Sequence, residues 1–173
     1  MAKRSTKLAL YEVALFGILG GLTFGAKFVM SGLPNIEPVS LMVMLFAVTF
    51  GLKAIYPIYV YVLLEFLVFG FNLWSIPYLY IWLILAAAAW LLRSMNHPLA
   101  WGLLSAVFGL AFGALCAPVT WCISGFPAAV AWWISGIPYD ITHCVGNFVI
   151  ALVLFVPLRR LLDKLYRTMQ MKL

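Results

Sequence analysis

Long apolar segments, separated by short connections, dominate this sequence. The six segments span residues 8–30, 39–52, 54–72, 76–92, 99–123 and 140–162. Of the 173 residues 66% are hydrophobic and only 9% are charged, and a water-soluble domain of this size could not bury so much apolar surface. A bilayer core about 30 Å thick requires roughly 20 helical residues per crossing. The sequence therefore predicts an all-α membrane protein, a bundle of six transmembrane helices that forms a single domain over residues 1–173.

The basic residues predict how these helices are oriented. If the N-terminus is cytoplasmic, ten of the eleven Lys and Arg residues fall on the cytoplasmic side: Lys3, Arg4, Lys7, Lys53, Arg93, Arg159, Arg160, Lys164, Arg167 and Lys172. Cytoplasmic connections of membrane proteins carry such an excess, so both termini are predicted to be cytoplasmic. We interpret the first segment as a span and not as a signal peptide, because it is long and no clear cleavage site follows it.

The predicted outer connections, residues 31–38, 71–77 and 124–138, are apolar, aromatic and rich in turn-forming residues. Their asparagines and tryptophans, together with one tyrosine just after the second connection, are candidate ligand-binding residues: Asn35, Asn72, Trp74, Tyr78, Trp132 and Trp133. Two interpretations remain open. These side chains form either an aromatic belt at the membrane interface or a set of hydrophobic lids over a pocket.

Few ionisable residues lie within or beside the apolar segments, and each costs about 2.5–3.5 kcal/mol in hydrocarbon. Glu65 is predicted roughly 18 Å from the inner boundary, Lys27 lies near the outer surface at the end of the first span, and Glu37 follows in the first outer connection. At the start of the last span, spacings of three and four place three polar residues on one helical face, Asp140, His143 and Asn147. We expect these groups to meet in an outward-facing pocket for a small ligand.

Simpler explanations exist for each residue of this set. Lys27 can extend its ammonium to the lipid headgroups, and Asp140 can complement the dipole of the helix that it begins. Glu65 can serve as a hydrogen-bonded structural carboxyl, and His143 as a packing residue. The prediction of a pocket depends on the coincidence of all of them at one depth.

Small residues recur every four positions in the first span (Gly17, Gly21, Gly25) and in the fifth (Ser105, Gly109, Gly113, Ala117). Each run gives its helix a smooth face that another backbone can approach closely. These faces predict either ordinary packing within the bundle or docking of a separate membrane subunit.

Sequence motifs for enzymatic activity are missing from the chain. It has no phosphate-binding loop of the G-x-x-x-x-G-K-[ST] type and no G-x-S-x-G motif. The two histidines and the three cysteines (Cys116, Cys122, Cys144) lack the spacing of a metal site. We therefore expect a protein that is not an enzyme and has no metal or other cofactor. Any ATP hydrolysis must come from another subunit.

Several stretches resemble the substrate-binding S components of energy-coupling factor (ECF) vitamin transporters. They are Leu-Pro-Asn-Ile-Glu-Pro-Val-Ser at 33–40, Phe-Gly-Leu-Lys-Ala at 50–54, Gly-Ile-Pro-Tyr-Asp-Ile-Thr-His at 136–143, Gly-Asn-Phe at 146–148 and Pro-Leu-Arg-Arg at 157–160. The resemblance covers nearly the whole chain in length, number of spans and character of the loops.

This resemblance implies a six-helix subunit of the bacterial plasma membrane that captures a vitamin from outside the cell. Such a subunit associates with a transmembrane coupling subunit and two cytoplasmic ATPases, and it topples in the membrane to carry its ligand across. The sequence is most similar to members assigned to corrinoids such as cobalamin, while pantothenate and queuosine-type precursors remain open. In the family an A-x-x-x-A pattern docks the coupling subunit. Here Ala14 fits it and Ile18 does not, so we assign docking to Ala14, Gly17 and Gly21.

A second hypothesis is a structural or assembly subunit of a membrane complex, without a ligand of its own. It is motivated by the same small-residue faces and apolar loops. A third, an intramembrane enzyme, is disfavoured because no nucleophile, base and orienting group can be assembled from these residues.

Overall fold

The computed structural model describes the backbone of residues 2–33 and 35–172, and the side chains of residues 10–33 and 35–171. Residue 34 of the resemblance motif lies outside the described residues, as do the side chains of the predicted cytoplasmic residues Lys3, Arg4, Lys7 and Lys172. The described part of the chain is helical and contains no strand, so the predicted all-α fold is confirmed.

Six α-helices and two 3-10 turns follow one another along the described residues. The α-helices are α1 (Ala2–Val29), α2 (Val39–Phe50), α3 (Ile55–Phe69), α4 (Ile81–Leu91), α5 (Pro98–Ser124) and α6 (Phe126–Lys172). The 3-10 turns, Gly51–Ala54 and Ile76–Leu79, precede α3 and α4.

Four segments of the described chain are long and apolar enough to cross a membrane. They are Leu10–Val29, Val39–Phe69, Pro98–Ser124 and Phe126–Met171. This finding supports a membrane protein. The second segment consists of α2 and α3, which have 12 and 15 residues and are therefore only about 18 and 22 Å long.

Side-chain contacts define two ends of the bundle. At the Lys27 end, the Lys27 ammonium of α1 lies 3.0 Å from Glu65 of α3 and 3.8 Å from Glu37, which precedes α2. At the Glu12 end, Glu12 of α1 accepts hydrogen bonds from Lys53, which precedes α3. Helices α1 and α3 therefore run in parallel toward the Lys27 end, and α2 runs back between their ends.

The chain reverses between α2 and α3 at Gly51. This residue has φ 59° and ψ −128°, a conformation that residues with a side chain rarely adopt. The apolar segment 39–69 is thus a helical hairpin and not one continuous helix.

The remaining helices continue the alternation. Helix α6 runs parallel to α2, because Asn147 donates to Ser40 near the Lys27 end and Asp163 accepts from Thr49 near the other end. Helix α5 is antiparallel to α6, since the Gly113 amide donates to Asp140 and Asn147 donates to the Ser105 carbonyl. Helix α4 leads from Tyr78 at the Lys27 end to the bundle's other end.

Helix α2 forms the centre of the core. Val43, Met44 and Phe46 are inaccessible to solvent, and nine of its twelve residues are buried. Burial on all sides agrees with its almost purely apolar sequence. Because α1, α4 and α6 pack around it, α2 aligns the elements that surround the Lys27 end.

Helix α6 differs from the predicted last span, which begins at residue 140. It starts at Phe126, directly after a turn at Gly125 (φ 86°); residues 126–139 are helical, and the Phe126 ring contacts the Trp121 ring of α5 with 5.6 Å between centroids. The third predicted outer connection is therefore helical. Pro138 lies inside α6, which is tolerated because neighbouring helices can satisfy the backbone group that a proline leaves unpaired. With 47 residues, α6 is about 70 Å long.

Candidate ligand-binding cavity

A cavity of about 420 Å³ opens at the Lys27 end of the bundle. The end of α1, the connection 30–37, the region between α3 and α4, and the facing parts of α5 and α6 surround it. Seven of the residues predicted to bind a ligand line it: Lys27, Asn35, Glu37, Trp74, Tyr78, Trp132 and His143. Four sequence-distant segments thus contribute to one site.

Lys27 contacts several residues that form one wall of this cavity. Its ammonium lies 3.0 Å from Glu65 Oε1, and it donates hydrogen bonds to the hydroxyls of Tyr61 and Tyr78 over 3.4 and 3.3 Å. The Tyr78 ring centroid is 5.0 Å from the ammonium, within the range of a cation–π contact. The contact with Glu65 is close, although it does not meet hydrogen-bond angles. Glu65 does not line the cavity, because it is fully buried behind Lys27.

Glu37 faces the cavity from the connection between α1 and α2. Its carboxylate is 14% exposed and lies 3.8 Å from the Lys27 ammonium. Burial raises the pKa of Glu37; the charge of Lys27 opposes this rise and the charge of Glu65 adds to it. No described residue donates a hydrogen bond to this carboxylate.

His143 is a cavity residue whose buried side chain lacks hydrogen bonds. Its side chain is 2% exposed and packs against the Phe112 ring, with 4.8 Å between ring centroids. Neither ring nitrogen has a hydrogen-bond partner among the described residues. Buried polar groups are rarely left unpaired in folded proteins. A group that enters the cavity can supply the missing hydrogen bond.

Asp140 and Asn147 share the buried face of α6 with His143, but they contact helices and not the cavity. Asp140 Oδ1 accepts from the Gly113 amide over 3.0 Å, and Asn147 Nδ2 donates to Ser40 Oγ over 3.0 Å. The polar stripe therefore joins α6 to α5 and α2, and only its middle residue reaches the cavity.

Three residues of the connections have positions that sequence reasoning could not resolve. Asn72 closes the turn after α3, where it accepts from the Trp74 and Ser75 amides. Asn35 adopts a left-handed conformation (φ 57°) and donates to the Tyr139 carbonyl over 3.0 Å, which ties the first connection to α6. Trp133 lines a separate apolar groove between α5 and α6.

Several residues of the site were not predicted. Phe69, Phe112 and Cys116 line the cavity, and Tyr61 contacts the Lys27 ammonium. A sequence signal exists for one of them. Tyr61 precedes the predicted site residue Glu65 by four residues, so the two share a helical face.

Glu12 was also missed, although it is a carboxylate inside the first apolar segment. It accepts two hydrogen bonds from Lys53 Nζ at 2.8 Å and one from the Tyr166 hydroxyl at 2.5 Å. This cluster joins α1, the turn before α3 and α6 at the Glu12 end.

The residues predicted to dock a partner lie on the outside of α1. Ala14 is exposed, and a Cβ added at Gly17 or Gly21 would meet no atom within 4 Å. Gly20 instead allows the close approach of α3, because an added Cβ would lie 2.6 Å from Val60 and 2.8 Å from the Pro57 carbonyl. In α5, Gly109 and Gly113 face α6 in the same way.

Within the part of the chain that the structure describes, no group of three or more His, Cys, Asp or Glu side chains is placed to hold a metal ion. No family model, curated protein or solved structure matches this chain.

Proposed function

We propose that this protein captures a small vitamin-type molecule in the cavity at the Lys27 end, as the S component of an ECF-type importer. The proposal depends on one observation: both ring nitrogens of His143, a residue that lines the cavity, are buried and have no hydrogen-bond partner among the described residues. The volume of the cavity lies within the range of about 300–1,000 Å³ that is usual for ligand pockets. The resemblance to S components supplies the transport role.

The proposed orientation places the Lys27 end outside the cell and both termini in the cytoplasm, with six helices crossing a bacterial plasma membrane. Lys53, Arg93 and Arg159 lie near the Glu12 end, where Arg159 donates to the Arg93 carbonyl and Lys53 pairs with Glu12. Basic residues concentrate on the cytoplasmic side of membrane proteins. Their position therefore supports a cavity that opens outward.

The size of the cavity bears on the ligand. At about 420 Å³ it lies in the lower part of the usual range. A corrinoid such as cobalamin is too large for a cavity of this volume, which favours a smaller vitamin. We keep cobalamin among the ligands to be tested.

Transport requires partners. The chain carries no ATP-binding motif, and we propose that a transmembrane coupling subunit and two cytoplasmic ATPases supply the energy. The open face of Ala14, Gly17 and Gly21 is the proposed docking surface. The same open face favours the second candidate function, an assembly subunit that binds a partner and no ligand.

A binding experiment separates the two functions. Purified protein in nanodiscs is titrated with a panel of vitamins, including cobalamin, by calorimetry. A ligand-capturing subunit binds one of them at one molecule per chain, and His143→Ala weakens that binding at least tenfold, as expected when a buried hydrogen bond is lost. The matched control His97→Ala, at an exposed position at the start of α5, leaves it unchanged. An assembly subunit binds none of the panel.

A further inference from the structure

The charges at the cavity do not balance. Lys27 contributes one positive charge, whereas Glu37 and Glu65 contribute two negative charges when ionised, so the formal sum is −1. Each of the two carboxylates lies within 4 Å of the ammonium. A ligand that carries a positive charge would complete this group.

The Lys27 ammonium already has acceptors and an opposite charge beside it. An ammonium has three N–H groups; two donate to the hydroxyls of Tyr61 and Tyr78, and Glu65 Oε1 lies 3.0 Å from the nitrogen, where its negative charge offsets that of the ammonium. Lys27 therefore stabilises the cavity wall and has little charge left to attract an anion.

Glu37 is the available carboxylate. It lines the cavity, its one charged neighbour within 4 Å is Lys27 at 3.8 Å, and it accepts no hydrogen bond from the described residues. A cation beside Glu37 would offset the cost of keeping its negative charge in this half-enclosed position.

The other walls are aromatic. Phe69, Trp74, Tyr78, Phe112 and Trp132 all line the cavity. The faces of such rings carry partial negative charge, so they attract cations and stack on flat groups. The Lys27 ammonium already makes such cation–π contacts, at 5.0 Å from the Tyr78 ring centroid and 5.9 Å from the Trp74 ring centroid.

We infer that the ligand of this cavity is a small, flat heteroaromatic cation that pairs with Glu37, stacks on the aromatic walls and forms a hydrogen bond with His143. The inference rests on the proposed function. It disfavours anionic vitamins such as pantothenate, whose carboxylate would face Glu37 beside an ammonium that already pairs with Glu65.

The test compares ligands that differ in charge. The probes are thiamine as a flat vitamin cation, 1-methylquinolinium as a flat cation that is no vitamin, riboflavin as a flat neutral vitamin and pantothenate as an anion. We expect both cations to bind at least tenfold more tightly than the other two, because a charge-assisted contact typically contributes such a factor.

Variants assign the effect to the cavity. Glu37→Gln is expected to weaken thiamine binding about tenfold. The same substitution at the opposite end, Glu12→Gln, leaves binding unchanged. Trp74→Leu removes one aromatic wall at a half-exposed position and weakens both cations, which keeps the test valid if Glu37→Gln fails to fold.

The outcomes distinguish the two proposals. If riboflavin or pantothenate binds as tightly as the cations and His143→Ala abolishes that binding, the cavity binds a vitamin and the inference of a cation is wrong. If no probe binds and no other vitamin of the panel binds, both the inference and the proposed function are wrong.

Discussion

At the scale of single residues, the contact between Lys27 and Glu65 is a buried ion pair whose loss has a predictable cost. Lys27→Met leaves the fully buried Glu65 carboxylate without its cation, and removing one partner of such a pair costs about 3–5 kcal/mol. The double variant Lys27→Met/Glu65→Leu removes both charges and is expected to regain most of that stability. Denaturant-induced unfolding in detergent micelles measures both. Equal destabilisation of the two variants would show that the pair does not contribute as described.

The proposed pairing of a cation with Glu37 predicts a pH dependence of ligand binding. Burial raises its pKa above the ordinary value of 4.5, and only the ionised carboxylate attracts a cation. Thiamine affinity is therefore expected to be full well above this raised pKa and to fall as the pH decreases through it, at a higher pH than for an exposed glutamate. The other ionisable groups around it are Lys27, Glu65, Tyr61, Tyr78, Cys116 and His143.

Calorimetric titration at pH values between about 8 and 5 measures this effect. In Glu37→Gln the corresponding part of the pH dependence disappears. If thiamine affinity depended on pH in the same way in the wild type and in this variant, a group other than Glu37 would be responsible, and the prediction would be wrong.

At the scale of helices, α5 and α6 depend on glycine at their contact. A Cβ added at Gly109 would lie 2.9 Å from the backbone of His143 and Cys144, atoms that cannot turn away. Gly109→Ala is therefore expected to destabilise the protein by about 1–3 kcal/mol. Gly17→Ala is the matched control, since a Cβ there meets nothing within 4 Å. Thermal unfolding compares the two, and equal midpoints would contradict the assigned packing of α5 against α6.

The sequence predicts these helices with uneven success, for physical reasons. The long apolar runs identify both ends of α5 and the last residue of α1 to within one residue, whereas α1 begins six residues before the predicted span. The start of α6 differs from the prediction because prolines and glycines around Pro138 are typical of a loop in water, whereas helix packing against α5 stabilises them in a helix. The sequence does not predict that Gly20, and not Gly17 or Gly21, lies at the contact with α3. That distinction depends on which side of α1 faces α3.

At the scale of the whole molecule, the proposed topology makes opposite predictions for two exposed serines. Ser31 follows α1 at the Lys27 end, and Ser94 follows α4 at the other end. In a background with Cys116, Cys122 and Cys144 replaced by alanine, Ser31→Cys is expected to react with a membrane-impermeant maleimide on intact cells. Ser94→Cys is expected to react only after permeabilisation. The reverse pattern would invert the proposed orientation.

The site could be predicted from the sequence in outline only. Charged residues in apolar segments are costly, so Lys27 and Glu65 were identifiable from their types and positions. Spacing places Asp140, His143 and Asn147 on one helical face. It does not reveal that Asp140 forms a hydrogen bond with α5 and Asn147 with α2, which leaves only His143 at the cavity. That distinction arises from tertiary packing, which no local pattern encodes.

The central claim is that the cavity beside His143 holds a small molecule. Mass spectrometry of small molecules extracted from freshly purified protein tests it most directly, with wild type and His143→Ala prepared in parallel. We predict one low-mass compound near one equivalent per chain in the wild type, strongly depleted in the variant. Equal amounts in both preparations, or no compound in the wild type together with no binding in the vitamin panel, would contradict the claim.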